Sequence, residues 1–89
     1  MKAFITVIGR DRIGIIAEIS AALAENRINI LDINQTVMAE TFTMIMMVDI
    51  SLSEKPFSEL QTLLDELGEQ LKLSIQIQHE DIFNSMHRI

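Results

Sequence analysis

The chain has 89 residues, 48% of them apolar, so it is expected to fold as one domain; it is too apolar for disorder and too short for a second core. The lack of cysteine excludes disulfides, thiolate catalysis and cysteine-ligated zinc, and agrees with a cytoplasmic setting. A formal charge of −6 argues against nucleic acid as a partner, and no stretch reads as a cleavable signal or approaches a membrane span.

Residues 3–9 read as a strand, apolar on both faces through Phe4, Ile5, Val7 and Ile8. Gly9 and the tripeptide Arg10-Asp11-Arg12 break it. From Ile13 the period becomes helical, with Ile15, Ile19 and Leu23 at i, i+4 and i+8 and an end expected near Asn26. Residues 28–38 form a second strand whose apolar phase slips by one near Ile30-Leu31, which predicts a bulge and an edge position. After a short Ala39-Glu40-Thr41 connection, Phe42, Met44, Met46, Val48 and Ile50 alternate strictly. Ile45 and Met47 add apolar character to the opposite face, so this third strand is expected to be central and covered on much of both sides. Pro56 suits a helix start, and Phe57, Leu60, Leu64, Leu67 and Leu71 mark one helical face across Gly68. Leu73–Gln78 alternates as a strand with one wet face. The tail 80–89 returns to helical spacing through Ile82, Phe83, Met86 and Ile89, and is too short to stand without docking.

The order is βαββαβ with a terminal helix. Right-handed crossovers then give an α+β, ferredoxin-like sandwich: a four-stranded antiparallel sheet, its first and third strands central, with two helices on one face. The core should span 3–78, with 80–89 as an appended helical tail. So small a domain buries only about 60–65% of its unfolded surface, and pairing with a second copy would add to its stability.

That topology hosts many functions. An RNA-recognition module needs exposed aromatics, yet there is no Trp or Tyr and only four Phe. An acylphosphatase-like hydrolase would need a glycine-rich phosphate cradle where this chain has only Gly9 and Gly14; Arg10, Arg12 and Asn29 keep it as a remote alternative. His79 and His87 have no third ligand at metal-binding spacing, so neither metal nor cofactor is expected. The six methionines fall mostly on core strand positions and read as gap-fillers.

Charge is unevenly spread. Residues 1–30 set Lys2, Arg10, Arg12 and Arg27 against Asp11, Glu18 and Glu25, whereas 31–89 hold three cations and ten anions. The loop Gly9-Arg10-Asp11-Arg12-Ile13-Gly14 therefore stands out. It precedes a helix whose first amides lack intrahelical acceptors and attract a small anion. Arg12 could pair a carboxylate, Asp11 could accept from an amino group, and Gly14 permits close approach. The same residues also have a plain structural use, with Asp11 as N-cap, Gly14 easing packing and both arginines solvated. Spacing alone leaves the two readings level.

Asp11-Arg12-Ile13-Gly14-Ile15-Ile16 in the first strand–helix loop, Asn29-Ile30-Leu31-Asp32 on the second strand and Phe42–Asp49 on the third together resemble the ACT domain over about Ala3–Gln78. The ending resembles that of short stand-alone ACT-domain proteins, similar to glycine-cleavage repressor-like regulators. The resemblance implies a non-catalytic regulator that pairs as a homodimer or higher homo-oligomer and binds a small amino-acid-like ligand at the interface. Carried onto this sequence, the ligand-contacting residues are Asp11, Arg12, Ile13 and Gly14 with Asn29, Ile30 and Asp32. Ile13 stands where the family often has proline, so the loop is expected to be less rigid. No enzyme domain is attached, so the regulated target would be a separate protein. The alternative is a protein–protein interaction module that uses the apolar tail and binds no ligand.

Overall fold

Each element forms where apolar spacing matches its geometry. A strand turns alternate side chains to opposite faces, so odd positions of the first strand bury Ala3, Ile5 and Val7, while even positions of the third bury Phe42, Met44, Met46 and Val48. The computed structural model describes residues 1–82 and contains β1 (Lys2–Arg10), α1 (Ile15–Glu25), β2 (Asn29–Met38), β3 (Thr41–Asp49), α2 (Phe57–Leu71) and β4 (Leu73–His79). The sheet order is β2-β3-β1-β4 with every neighbouring pair antiparallel, so β1 and β3 are central as expected. Ile15, Ile19 and Leu23 of α1 and Leu60 and Leu64 of α2 close the core against that one face. No helix among the described residues is long and apolar enough to cross a membrane.

The β1–β3 ladder is unbroken from Lys2–Asp49 to Arg10–Thr41. In β2 the register slips between Ile30 and Asp32, at the expected bulge. Beyond it, Ile33, Gln35 and Val37 face the helix side but reach past the helices, so β2 is exposed along nearly its whole length.

Three local features depart from expectation. The α1 helix starts at Ile15 rather than Ile13, because Gly14 adopts a left-handed φ of 93° as its N-cap and turns Ile13 outward to 98% exposure. Asp11 does not cap it, and no side chain does. At the other end Asn26 is the C-cap, and its amide donates to the Ala22 carbonyl, but the left-handed residue is Arg27 at φ 59°. Finally, the second face of β3 is not covered by the described residues, and Ile45 is 38% exposed. Glu80–Ile82 begin a helical turn; the rest of the expected tail helix, 83–89, lies outside the described residues.

A single residue, Lys72 at φ 59°, separates α2 from β4. So tight a return presses the last turn of α2 against the strand and explains the glycine within the helix. A Cβ on Gly68 would stand 2.6 Å from the Leu73 carbonyl oxygen, which is backbone and cannot rotate away. Gly68→Ala is therefore expected to destabilise the protein by about 1–3 kcal/mol, although alanine is favoured in an open helix by about 1 kcal/mol. The check is a lower urea midpoint at unchanged slope.

Candidate functional site

The sheet register decides which of the expected site residues can meet. Strand β1 delivers Asp11–Gly14 to the end of the sheet where the β2–β3 hairpin turns, and the Asp11 amide donates to the Glu40 carbonyl at 2.8 Å. Asn29 pairs with Asp49, which pairs with Lys2, so the start of β2 lies at the opposite end. Eight residues of strand separate the two ends, about 26 Å at 3.3 Å per residue. Asp11, Arg12, Ile13 and Gly14 are thus together, Asn29, Ile30 and Asp32 are together, and no amino acid can touch both groups within one chain.

At the loop end, the first-turn amides of α1 have no side-chain cap. The Arg12 guanidinium folds back over that turn, donating to Glu18 Oε2 at 2.8 Å and to the Ile13 carbonyl at 3.1 Å. Both partners of this ion pair are substantially exposed, so it is worth only about 0–1 kcal/mol and a stronger carboxylate can displace it. Arg10 makes a looser, exposed pair with Glu40 at 3.4 Å. The Asp11 carboxylate and the Ile13 side chain both face solvent.

At the other end Arg27, Ile28, Asn29, Asp49 and Leu52 line a cavity of about 350 Å³. It combines a cation, Arg27, an anion, Asp49, and an apolar wall. Asp49 is well organised: its Oδ1 accepts from the Ser51 hydroxyl at 2.6 Å and the Ser51 amide at 2.9 Å, and pairs with the Met1 ammonium at 3.4 Å, an exposed contact that a ligand's ammonium would have to replace. These bonds hold its carboxyl below the ordinary range, at about 2. Of the expected residues, Asn29 lines this cavity. Ile30 is half-buried on the helix side of the sheet, and Asp32, just past the bulge, accepts from the Ile33 amide at 2.9 Å. Larger in volume, at about 550 Å³, is a groove between α2 and β4 lined by Ser58, Gln61, Thr62, Asp65, Gln76, Ile77 and Gln78. It contains no cation and none of the expected residues. Among the described residues no group of three His, Asp or Glu side chains is placed to hold a metal ion.

Sequence reasoning missed Arg27, Asp49, Leu52 and Glu18. The first two were within reach of it. Counting back from the Met38–Thr41 closure of the hairpin, with one residue dropped for the bulge, sets Asn29 opposite Asp49.

Three comparisons bear on this arrangement. The ACT domain family model matches residues 2–78. A UPF0237 protein from Clostridium acetobutylicum is 60% identical over 89 residues, spanning all of both chains. Among solved structures, an ACT domain protein from Streptococcus pneumoniae superposes with a TM-score of 0.83 at 43% identity, covering 93% of each chain. A candidate glycine cleavage system transcriptional repressor superposes at 0.72 with 28% identity, over 86% of this chain and 44% of that one.

Because Asp49 is ionised more easily in the folded chain than in the unfolded one, its bonds favour folding above pH 3.8. That contribution is lost as pH falls towards about 2. Ser51→Ala is expected to bring the Asp49 titration back towards 3.8, read as the midpoint of its carboxyl shift by NMR.

Proposed function

The chain belongs to the ACT domain family, whose members are generally ligand-binding regulatory domains, and from that premise we propose that it is a non-catalytic amino-acid sensor built from two copies of itself. The observation that carries the reading is the cavity bearing Arg27 and Asp49. A free amino acid is a zwitterion. Its carboxylate needs a cation and its ammonium an anion, and Arg27 and Asp49 offer one of each beside the apolar Ile28 and Leu52. Asn29 adds an amide for orientation.

The cavity is half of the proposed site. The other half is the Asp11–Gly14 loop of a second copy. Among the described residues strand β2 has an unpaired edge and exposed Ile33 and Val37, which in an isolated domain is a standing invitation to strand pairing. Two β2 edges paired antiparallel about a two-fold axis set residues 29–32 of one copy beside the hairpin end of the other. The partner loop then presents Arg12, the uncapped amides of α1 and the close approach at Gly14. Ile13 and Ile30 supply apolar contact, while Asp11 and Asp32 supply acceptors. In this reading the protein acts in the cytoplasm and passes the bound or empty state of the pair to a separate target protein.

Thermal shift against the twenty amino acids is expected to find at least one that stabilises the fold. At 100 times its Kd the gain is about 2.7 kcal/mol, or on the order of 10 °C or more in Tm for a domain this small. Arg27→Ala is expected to remove that shift without lowering the ligand-free Tm appreciably. Ile33→Asp, on the exposed part of β2, is expected to give a folded monomer by analytical ultracentrifugation that no longer responds to the ligand. A shift that survives in that monomer would contradict the shared site, and no shift with any amino acid would contradict the sensor reading itself.

A further inference from the structure

Every free amino acid carries the same two charges, so a site that binds one selects among them by what it offers the side chain. In the cavity of about 350 Å³ the charged groups are Arg27 and Asp49, and Asn29 is the polar neutral one; the rest of the lining is Ile28 and Leu52. Ile28 belongs to the core and presents little surface, whereas Leu52 is 67% exposed. A single exposed leucine means little by itself. This one matters because of what it lines.

Backbone geometry holds Leu52 in place. The Ser51 amide donates to Asp49 Oδ1 at 2.9 Å, and the Ser53 amide donates to the Ile50 carbonyl at 3.1 Å, so two overlapping turns enclose it. The first of these turns is also the one that organises the Asp49 carboxylate. One loop thus delivers both the anion and the apolar wall. Leu52 is the only apolar residue of that loop between Ser51 and Lys55.

A polar alternative shares Arg27. With Asn26, Ser53 and Lys55 among its lining, a neighbouring hollow measures about 110 Å³. Its groups are committed to one another: Lys55 Nζ donates to Asn26 Oδ1 at 2.6 Å, and the Asn26 amide donates to the Ala22 carbonyl at 2.8 Å. A polar ligand side chain would have to break into that chain of bonds in much less space. An aliphatic one leaves the bonds intact and takes Leu52 out of water.

We infer that Leu52 is the specificity-determining residue of this cavity and that the ligand is an amino acid with an aliphatic side chain. The inference rests on the amino-acid reading above and adds the class of side chain to it. Each methylene laid against Leu52 then raises affinity about four- to tenfold. A charged side chain is desolvated against the same wall and binds worse.

Calorimetric titration of the full chain with alanine, 2-aminobutyrate, norvaline and leucine is expected to show affinity rising along the series. Glutamate and lysine should bind about tenfold or more weakly than leucine. Leu52→Ala, a change at an exposed side chain, is expected to weaken leucine about tenfold and alanine hardly at all, which flattens the series. Leu52→Lys is expected to invert the preference, weakening leucine and strengthening glutamate, an outcome that a merely structural role for Leu52 does not produce. Equal losses for alanine and leucine in Leu52→Ala, a wild-type preference for a charged side chain, or a Leu52→Lys protein that still favours leucine over glutamate would each overturn the inference while leaving an amino-acid site in place. Binding by none of these compounds also overturns it, and the thermal shift against all twenty amino acids then decides separately whether any amino acid is bound.

Discussion

The antiparallel ladder between β1 and β3 is the constraint on which the rest of the molecule depends. Nine residue pairs, Lys2–Asp49 through Arg10–Thr41, fix which side chains face the helices and which end of the sheet each loop occupies. A slip of one residue would turn either Ile5 and Val7 or Met44 and Met46, all fully buried, out of the core. The same ladder sets the Asp11–Gly14 loop beside the hairpin and carries Asp49 to the far end with Arg27 and Asn29. Placement of the proposed site residues is thus a consequence of packing the core.

Much of the architecture was legible in the sequence because it follows from period. Ile15, Ile19 and Leu23 gave α1 its face, and the two-sided apolar character of β1 and β3 made them central. The phase slip at Ile30-Leu31 marked the bulge. What period does not carry is backbone conformation at single residues. Gly14, Arg27, Ala39 and Lys72 all take positive φ, and only the first is glycine, so three of these turns had no residue-type signal. The separation of the site residues into two groups was hidden for a different reason. It depends on strand direction and register together, and residues close in a family motif need not be close in one chain. The two-sided apolar reading of β3 held fully for the helix face; on its other face, among the described residues, Met47 is half-buried and Ile45 is 38% exposed.

Electrostatics fit a small zwitterionic ligand better than a large anion. The molecule is acidic, and its cations near the candidate site are dispersed: Arg12 at the loop end, tied loosely to Glu18, and Arg27 at the cavity. In the proposed pair each ligand lies between one copy's cavity and the other's loop. Ligand binding and pairing are then thermodynamically linked, since whatever holds the copies together raises ligand affinity, and the ligand strengthens the pair in equal measure. In the proposed reading, such coupling would let the domain report a ligand's concentration as a change in assembly.

Subunit complementation with the amino acid that stabilises the protein tests this shared site most directly. Arg12→Ala damages the loop and spares the cavity, and Arg27→Ala does the opposite, so neither homodimer has an intact site. Co-refolded in equal amounts, the two variants should form mixed dimers in which one site takes its loop and its cavity from the undamaged halves. Calorimetry is predicted to recover binding at about a quarter of the wild-type number of sites. Recovery of none, with mixed dimers demonstrably formed, would contradict a site shared between copies.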